Sequence, residues 1–286
     1  MLKQRVITAL VLLAILLPAL FYPSPVPFCV AALVLIAAAG WEWGRLNGST
    51  HGGGLLLALA CVLLCAGAWW AGWLARPLPA VWLAAGAFWV LAGAGMLRAG
   101  VAGWPRIPRA VRLVGGVLAL WLAWLAMAQA RVIGTNFLLS ILALVWAADI
   151  SAYFAGRAFG LRFTKNKLAP AISPGKSWEG VWGGMLGVVV LAVVWIAADR
   201  AWAPDSLSFY SRLAAQHGLL LLVSVLFMAA MSVVGDLVES LVKRSAGAKD
   251  SSRLLPGHGG VLDRVDALLP TLPLAMMVAS LVTAWT

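Results

Sequence analysis

Residues 216–244 read QHGLLLLVSVLFMAAMSVVGDLVESLVKR. An apolar run of this length suits a helix that crosses the hydrocarbon core of a bilayer, which takes about 20 residues. The run closes on Asp236 and Glu239, then on Lys243 and Arg244. The two carboxylates are three apart, so a helix carries them on one face. Ionisable groups in such a segment are costly, and by default they point to function.

Apolar runs of similar character recur on both sides of this one. They cover approximately residues 6–22, 25–40, 54–73, 78–97, 111–129, 134–150, 179–198, 216–239 and 263–285. With 63% hydrophobic and 11% charged residues and a mean hydropathy of +0.96, a 286-residue chain has more apolar surface than a soluble core can hide. The expectation is an all-α, polytopic integral membrane protein of about nine transmembrane helices. An uncleaved first helix is expected at residues 6–22, because no clear A-x-A site follows that apolar run.

Charge then orients the map. With the N-terminus in the cytoplasm, only Arg76, Arg131, Arg200 and Arg212 of the 21 Lys and Arg lie outside. This is the positive-inside pattern, and it accounts for a net charge of +11 without nucleic acid as a partner. The 16 tryptophans suit belts at the headgroup level, with Trp41, Trp43, Trp69, Trp70, Trp73, Trp104, Trp178 and Trp202 near span ends. Cys29, Cys61 and Cys65 lie in apolar runs and read as packing residues, with neither a disulfide framework nor a metal set. Gly183, Gly184 and Gly187 suit close helix packing. Residues 1–130 are assigned to packing and lipid contact, and 131–286 to a site facing the cytoplasm.

The ten acids are unevenly placed. Glu42 falls in an early inner loop and Asp199 and Asp205 in an outer one, leaving seven along the inner ends of the last four spans. Asp236 and Glu239 end one span; Asp263 and Asp266, again three apart, begin the next. The connection, KDSSRLLPGHGGVLDRVDAL (residues 249–268), carries Pro256, Gly257, His258, Gly259 and Gly260, a turn whose backbone N–H groups can approach an anion. Oxygen-rich acidic ligands suit a hard cation such as Mg²⁺, while neighbouring Lys and Arg suit phosphate oxygens. Metal-assisted phosphoryl or nucleotidyl transfer follows as a reaction class. A lone His258 does not make a zinc site and reads as a hydrogen-bonding or turn-stabilising residue.

The preceding inner loop, residues 149–184, holds five basic residues and the run Ser173-Pro174-Gly175-Lys176-Ser177 before a helix start. Free N–H groups at that start make an anion site. It is not a P-loop, since the G-x-x-x-x-G-K-[ST] pattern is absent.

The run SLVKRSAGAKDSSRLLPGHGGVLDRVDAL (residues 240–268) resembles the signature of the phosphatidate cytidylyltransferase, or CDP-diacylglycerol synthase, family: S-x-x-K-R, K-D, then P-x-H-G-G-x-x-D-R-x-D. The upstream AYFAGR, KLAP and SPGKSWEG elements are similar to the same family's other loop. The resemblance implies transfer of CMP from CTP to phosphatidic acid at the cytoplasmic boundary of a bacterial inner membrane, with membrane lipids around it and a homodimeric assembly. It implies Asp236, Asp263 and Asp266 as Mg²⁺ ligands, a second cation being left open, with Lys249 and Asp250 beside them. Substrate contacts are then expected from Lys167, Ser173, Lys176, Ser177, Glu179, Lys243, Arg244, His258, Gly259, Gly260 and Arg264. The competing readings are a CTP-dependent polyprenol or phytol kinase and an ion-coupled transporter, to which clustered membrane acids are also suited.

Overall fold

The computed structural model describes residues 2–283. Among the described residues the regular structure is entirely helical: α1 (Leu2–Phe21), α2 (Val26–Leu46), α3 (His51–Trp70), α4 (Pro79–Ala99), a 3-10 turn (Val101–Arg106), α5 (Arg109–Ile133), α6 (Thr135–Phe159), α7 (Trp178–Trp202), α8 (Phe209–Gln216), α9 (Gly218–Ser245), α10 (Leu262–Val265) and α11 (Leu268–Thr283). Nine segments among the described residues are long and apolar enough to cross a membrane, the last being α10 and α11 together over Leu262–Val282. The chain is an integral membrane protein of the expected class.

Three helices run six or more residues further than their apolar stretches. α2 continues past residue 40 to Leu46, α6 past residue 150 to Phe159 and α9 past residue 239 to Ser245. The physical reason is that these extensions have neighbours to pack on and no Pro to stop them. Asp149 and Asp236 consequently stand ten and nine residues before the ends of their helices. At 1.5 Å per residue each is roughly 14 Å inside its helix, rather than at its tip.

α6 and α7 form the most extensive helix pair, and the sequence shows why they approach so closely. A Cβ at Gly183 would lie 2.1 Å from that of Ala155, and one at Gly187 would lie 2.0 Å from Ser151 Oγ. Glycine on one helix and small residues on the other are what bring backbones together in a bilayer. The start of α7 is thereby held beside α6.

Tryptophan divides between two roles. Trp70 and Trp202 are exposed as belt residues should be, whereas Trp43 and Trp104, expected at the headgroups, are buried. Their indole N–H groups donate to the Arg112 carbonyl (2.9 Å) and Asn47 Oδ1 (3.1 Å), so they serve as satisfied core residues. Cys29, Cys61 and Cys65 are buried free thiols packed in the core.

Candidate active site

Two polar clusters meet along α9. The first is a recess of about 420 Å³ between α6, α7 and α9, whose polar lining is Asp149, Tyr153, Arg157, Lys176, Ser177 and Asp236. Ser177 caps α7 by accepting from the Gly180 N–H at 3.2 Å, which places the open N-terminus of that helix at the recess wall. Lys176 Nζ spans the recess to Asp236 Oδ2 at 2.6 Å, and Ser240 Oγ donates to Asp236 Oδ1 at 3.2 Å. Asp149, from α6, lines the same recess as this pair. Both partners of the Lys176–Asp236 pair keep partial exposure, so water and solutes reach it.

The second cluster lies between α9 and the 251–263 connection. Lys243 Nζ is ion-paired to Glu239 and, at 2.6 Å, to Asp263 Oδ1. Asp263 Oδ2 accepts from the Ser251 N–H (2.9 Å), Ser251 Oγ (2.8 Å) and the Gly260 N–H (2.7 Å). Gly259 has a φ of +83°, and a Cβ there would sit 2.8 Å from Asp263 Oδ2. Glycine is required on both counts. The anion that this turn holds is therefore a carboxylate of the same chain, where a phosphate was expected.

The sequence-predicted residues fall into distinct groups. Lys176, Ser177 and Asp236 share the recess. Asp263, Lys243, Gly259 and Gly260 form the second cluster. Asp266 accepts from the Ala267 N–H at 2.8 Å, and its backbone carbonyl abuts Gly235, the neighbour of Asp236. Glu179 is turned away: its Oε1 accepts from the Phe163 N–H, the Thr164 N–H and Thr164 Oγ1, fixing the basic loop. Lys167 donates to the Pro174 carbonyl (2.7 Å), and Arg244 bridges the Ile172 and Ala248 carbonyls (3.3 Å each), so both brace the anion loop. Ser173 shapes that loop through its backbone, accepting from the Lys176 N–H at 3.2 Å. His258 keeps the turn through its N–H to the Leu255 carbonyl (2.8 Å), its Nδ1 being buried without a partner. Lys249, Asp250 and Arg264 are exposed.

Asp149 and Arg157 were read only as members of the inner-end acids and of the basic loop, and α6 brings both to the recess wall. Glu42 lies in α2 rather than in a loop and is fully buried. It accepts from the Val261 N–H (2.9 Å), the Leu262 N–H (2.7 Å), Ser251 Oγ (3.3 Å) and Ser252 Oγ. Read as a loop residue, Glu42 gave no local sign of this, because its partners are more than 200 residues away in sequence.

Residues 3–282 match the cytidylyltransferase family, and the chain belongs to it. It is similar to the protein named phosphatidate cytidylyltransferase of Pseudomonas aeruginosa, with 40% identity over 277 residues, 96% of this chain and 95% of the relative. The protein of the same name from Haemophilus influenzae is 36% identical over 310 residues, covering 96% of each chain. That of Staphylococcus epidermidis shares 39% identity over 146 residues, about half of each.

Proposed function

We propose that this protein transfers the cytidylyl group of CTP to the phosphate of phosphatidate, forming CDP-diacylglycerol and releasing pyrophosphate. The observation that carries the reading is the recess in which Lys176, Arg157 and the N-terminus of α7 face Asp149 and Asp236 inside a membrane-spanning bundle. Cations and free N–H groups suit a triphosphate, and the opposed acids suit its counter-cation. Membership of the cytidylyltransferase family and the names of its relatives support the same chemistry.

A phosphate monoester, with a second pKa of about 6, is already largely dianionic at neutral pH. Its oxygen attacks the α-phosphorus of CTP, a new P–O bond forms and the α–β bridging bond breaks, with the electron pair leaving on pyrophosphate. No hydroxyl is deprotonated, so the protein's work is alignment and neutralisation of charge. Lys176 exchanges Asp236 for phosphate oxygens, and Arg157 and the α7 N-terminus hold the remaining charge. Lys243, paired with Asp263, keeps the α9 side of the site rigid.

Among the described residues no three acids, histidines or cysteines are gathered closely enough to enclose an ion by themselves. The donor chemistry still fits Mg²⁺, which binds through one or two carboxylates, substrate phosphates and water. Asp236 and Asp266 are the residues that would hold it, since both offer carboxylate oxygens and Gly235, beside Asp236, abuts the Asp266 backbone, where a Cβ would fall 2.5 Å from the carbonyl oxygen. Asp263, the third expected ligand, accepts from Lys243, Ser251 and the Gly260 N–H much as Asp236 accepts from Lys176 and Ser240, and would stand beside them. When bound, the cation would neutralise the triphosphate and the departing pyrophosphate.

The lipid needs an apolar place next to this site. An apolar cleft of about 410 Å³ between α4, the 3-10 turn, α5 and α9 reaches Gly235 and Glu239, the neighbours of Asp236 on the helix. We assign an acyl chain to it. The orientation with both basic loops in the cytoplasm follows from the positive-inside pattern. Purified protein in detergent with CTP, Mg²⁺ and phosphatidate tests the reading. Formation of CDP-diacylglycerol with one pyrophosphate per turnover supports it; with a polyprenol supplied in a parallel reaction, CDP and polyprenyl phosphate as the products, without CDP-diacylglycerol from phosphatidate, would refute it.

A further inference from the structure

We infer that Glu42 is a positioning residue for Asp263, through which the N-terminal half of the chain sets the geometry of the active site; the inference rests on the cytidylyl-transfer reading. Glu42 is fully buried and makes no ion pair among the described residues. A carboxylate so placed is tolerable only if its oxygens are well supplied with donors. The donors come entirely from the 251–262 connection: two hydroxyls and the first two free N–H groups around α10.

Ser251 links this acid to the next. Its Oγ lies 3.3 Å from Glu42 Oε2 and 2.8 Å from Asp263 Oδ2, while its own N–H donates to Asp263. Gly260 is wedged at the same point. A Cβ there would fall 2.4 Å from Glu42 Oε1 and 2.0 Å from Ser251 Oγ, and the Gly260 N–H also serves Asp263. Glu42 therefore fixes both elements that grip Asp263 Oδ2, and with it the Asp263–Lys243 pair. Two contacts from α1 secure the far side of the turn: Arg5 Nε to the Gly257 carbonyl and Thr8 Oγ1 to the Pro256 carbonyl, both at 2.9 Å.

The geometry specifies the variants. In Glu42→Gln one oxygen is replaced by an NH₂ that must face either the Val261 or the Leu262 N–H, donor against donor. Ser251→Ala removes the shared hydroxyl alone and is the milder change should the first fail to fold. Expected in each is a kcat at least about tenfold lower, with KM for CTP and for phosphatidate moved less than about twofold, as for residues that orient those in direct contact. Combining the two is expected to cost little more than Glu42→Gln alone, since both act through Asp263. Independently of activity, trypsin is expected to cut Glu42→Gln faster after the exposed Arg253 than it cuts the parent. Full activity in both variants, or multiplicative losses with unchanged cleavage, overturns the inference. A parent protein without cytidylyl transfer whose loop is nonetheless released by Glu42→Gln refutes the functional reading and leaves the tether standing.

Discussion

Lys176 and Asp236 are each other's counter-ion across the recess, and that pairing makes both sensitive to substitution. Asp236→Asn is expected to lower turnover on the order of 100-fold or more, as when a group that stabilises transition-state charge is removed. Lys176→Met is expected to lower kcat/KM for CTP by a similar factor with little change in KM for phosphatidate. Steady-state kinetics varying one substrate at a time check both. Asp236, Asp263 and Asp266 were legible as residues, because acids at a spacing of three in apolar helices have few ordinary explanations. Their partners were not. Nothing local shows that Glu179 bends back to Phe163 and Thr164, or that Glu42 and Asp263 draw on the same serine.

At the scale of elements, the apolar runs located nine spans, and hydropathy stopped short where helices continue into polar sequence. The last turns of α6 carry Ala152, Ala155 and Gly156, which continue the face packed on α7 after the apolar stretch ends. Packing between α6 and α7 was legible in part, since Gly183 and Gly187 announce a close approach without naming the partner. Asp236 and Val233 face the recess while Gly235, Val238 and Glu239 face the apolar cleft, so α9 separates the two. Gly95 and Gly115 line that cleft with open space where a Cβ would stand. Gly95→Leu and Gly115→Leu therefore fill it without a backbone clash. Each is expected to raise KM for a long-chain phosphatidate several-fold while leaving a dihexanoyl substrate unaffected. Equal behaviour towards the two lipids would remove the acyl chain from this cleft.

The whole molecule is one bundle in which the N-terminal half does more than face lipid. Through Arg5, Thr8 and Glu42 it reaches the turn that carries Asp263, more than 200 residues later. Charge distribution gave the orientation as an expectation, and it has a direct check. The three native thiols are buried, so a single exposed cysteine can report on its own loop. Asn166→Cys, in the loop between α6 and α7, is expected to react with a membrane-impermeant maleimide in inverted vesicles and to be protected in intact cells. Labelling in intact cells would reverse the topology.

The central claim is that the bond broken is the one between the α- and β-phosphates of CTP, with the cytidylyl group passing to a lipid phosphate. Two parallel reactions with purified protein, Mg²⁺ and phosphatidate, one supplied with α-labelled and the other with γ-labelled CTP, read this most directly. Label is expected in the chloroform-soluble product only from α-labelled CTP, and in pyrophosphate only from γ-labelled CTP. Label entering lipid from the γ position would contradict it.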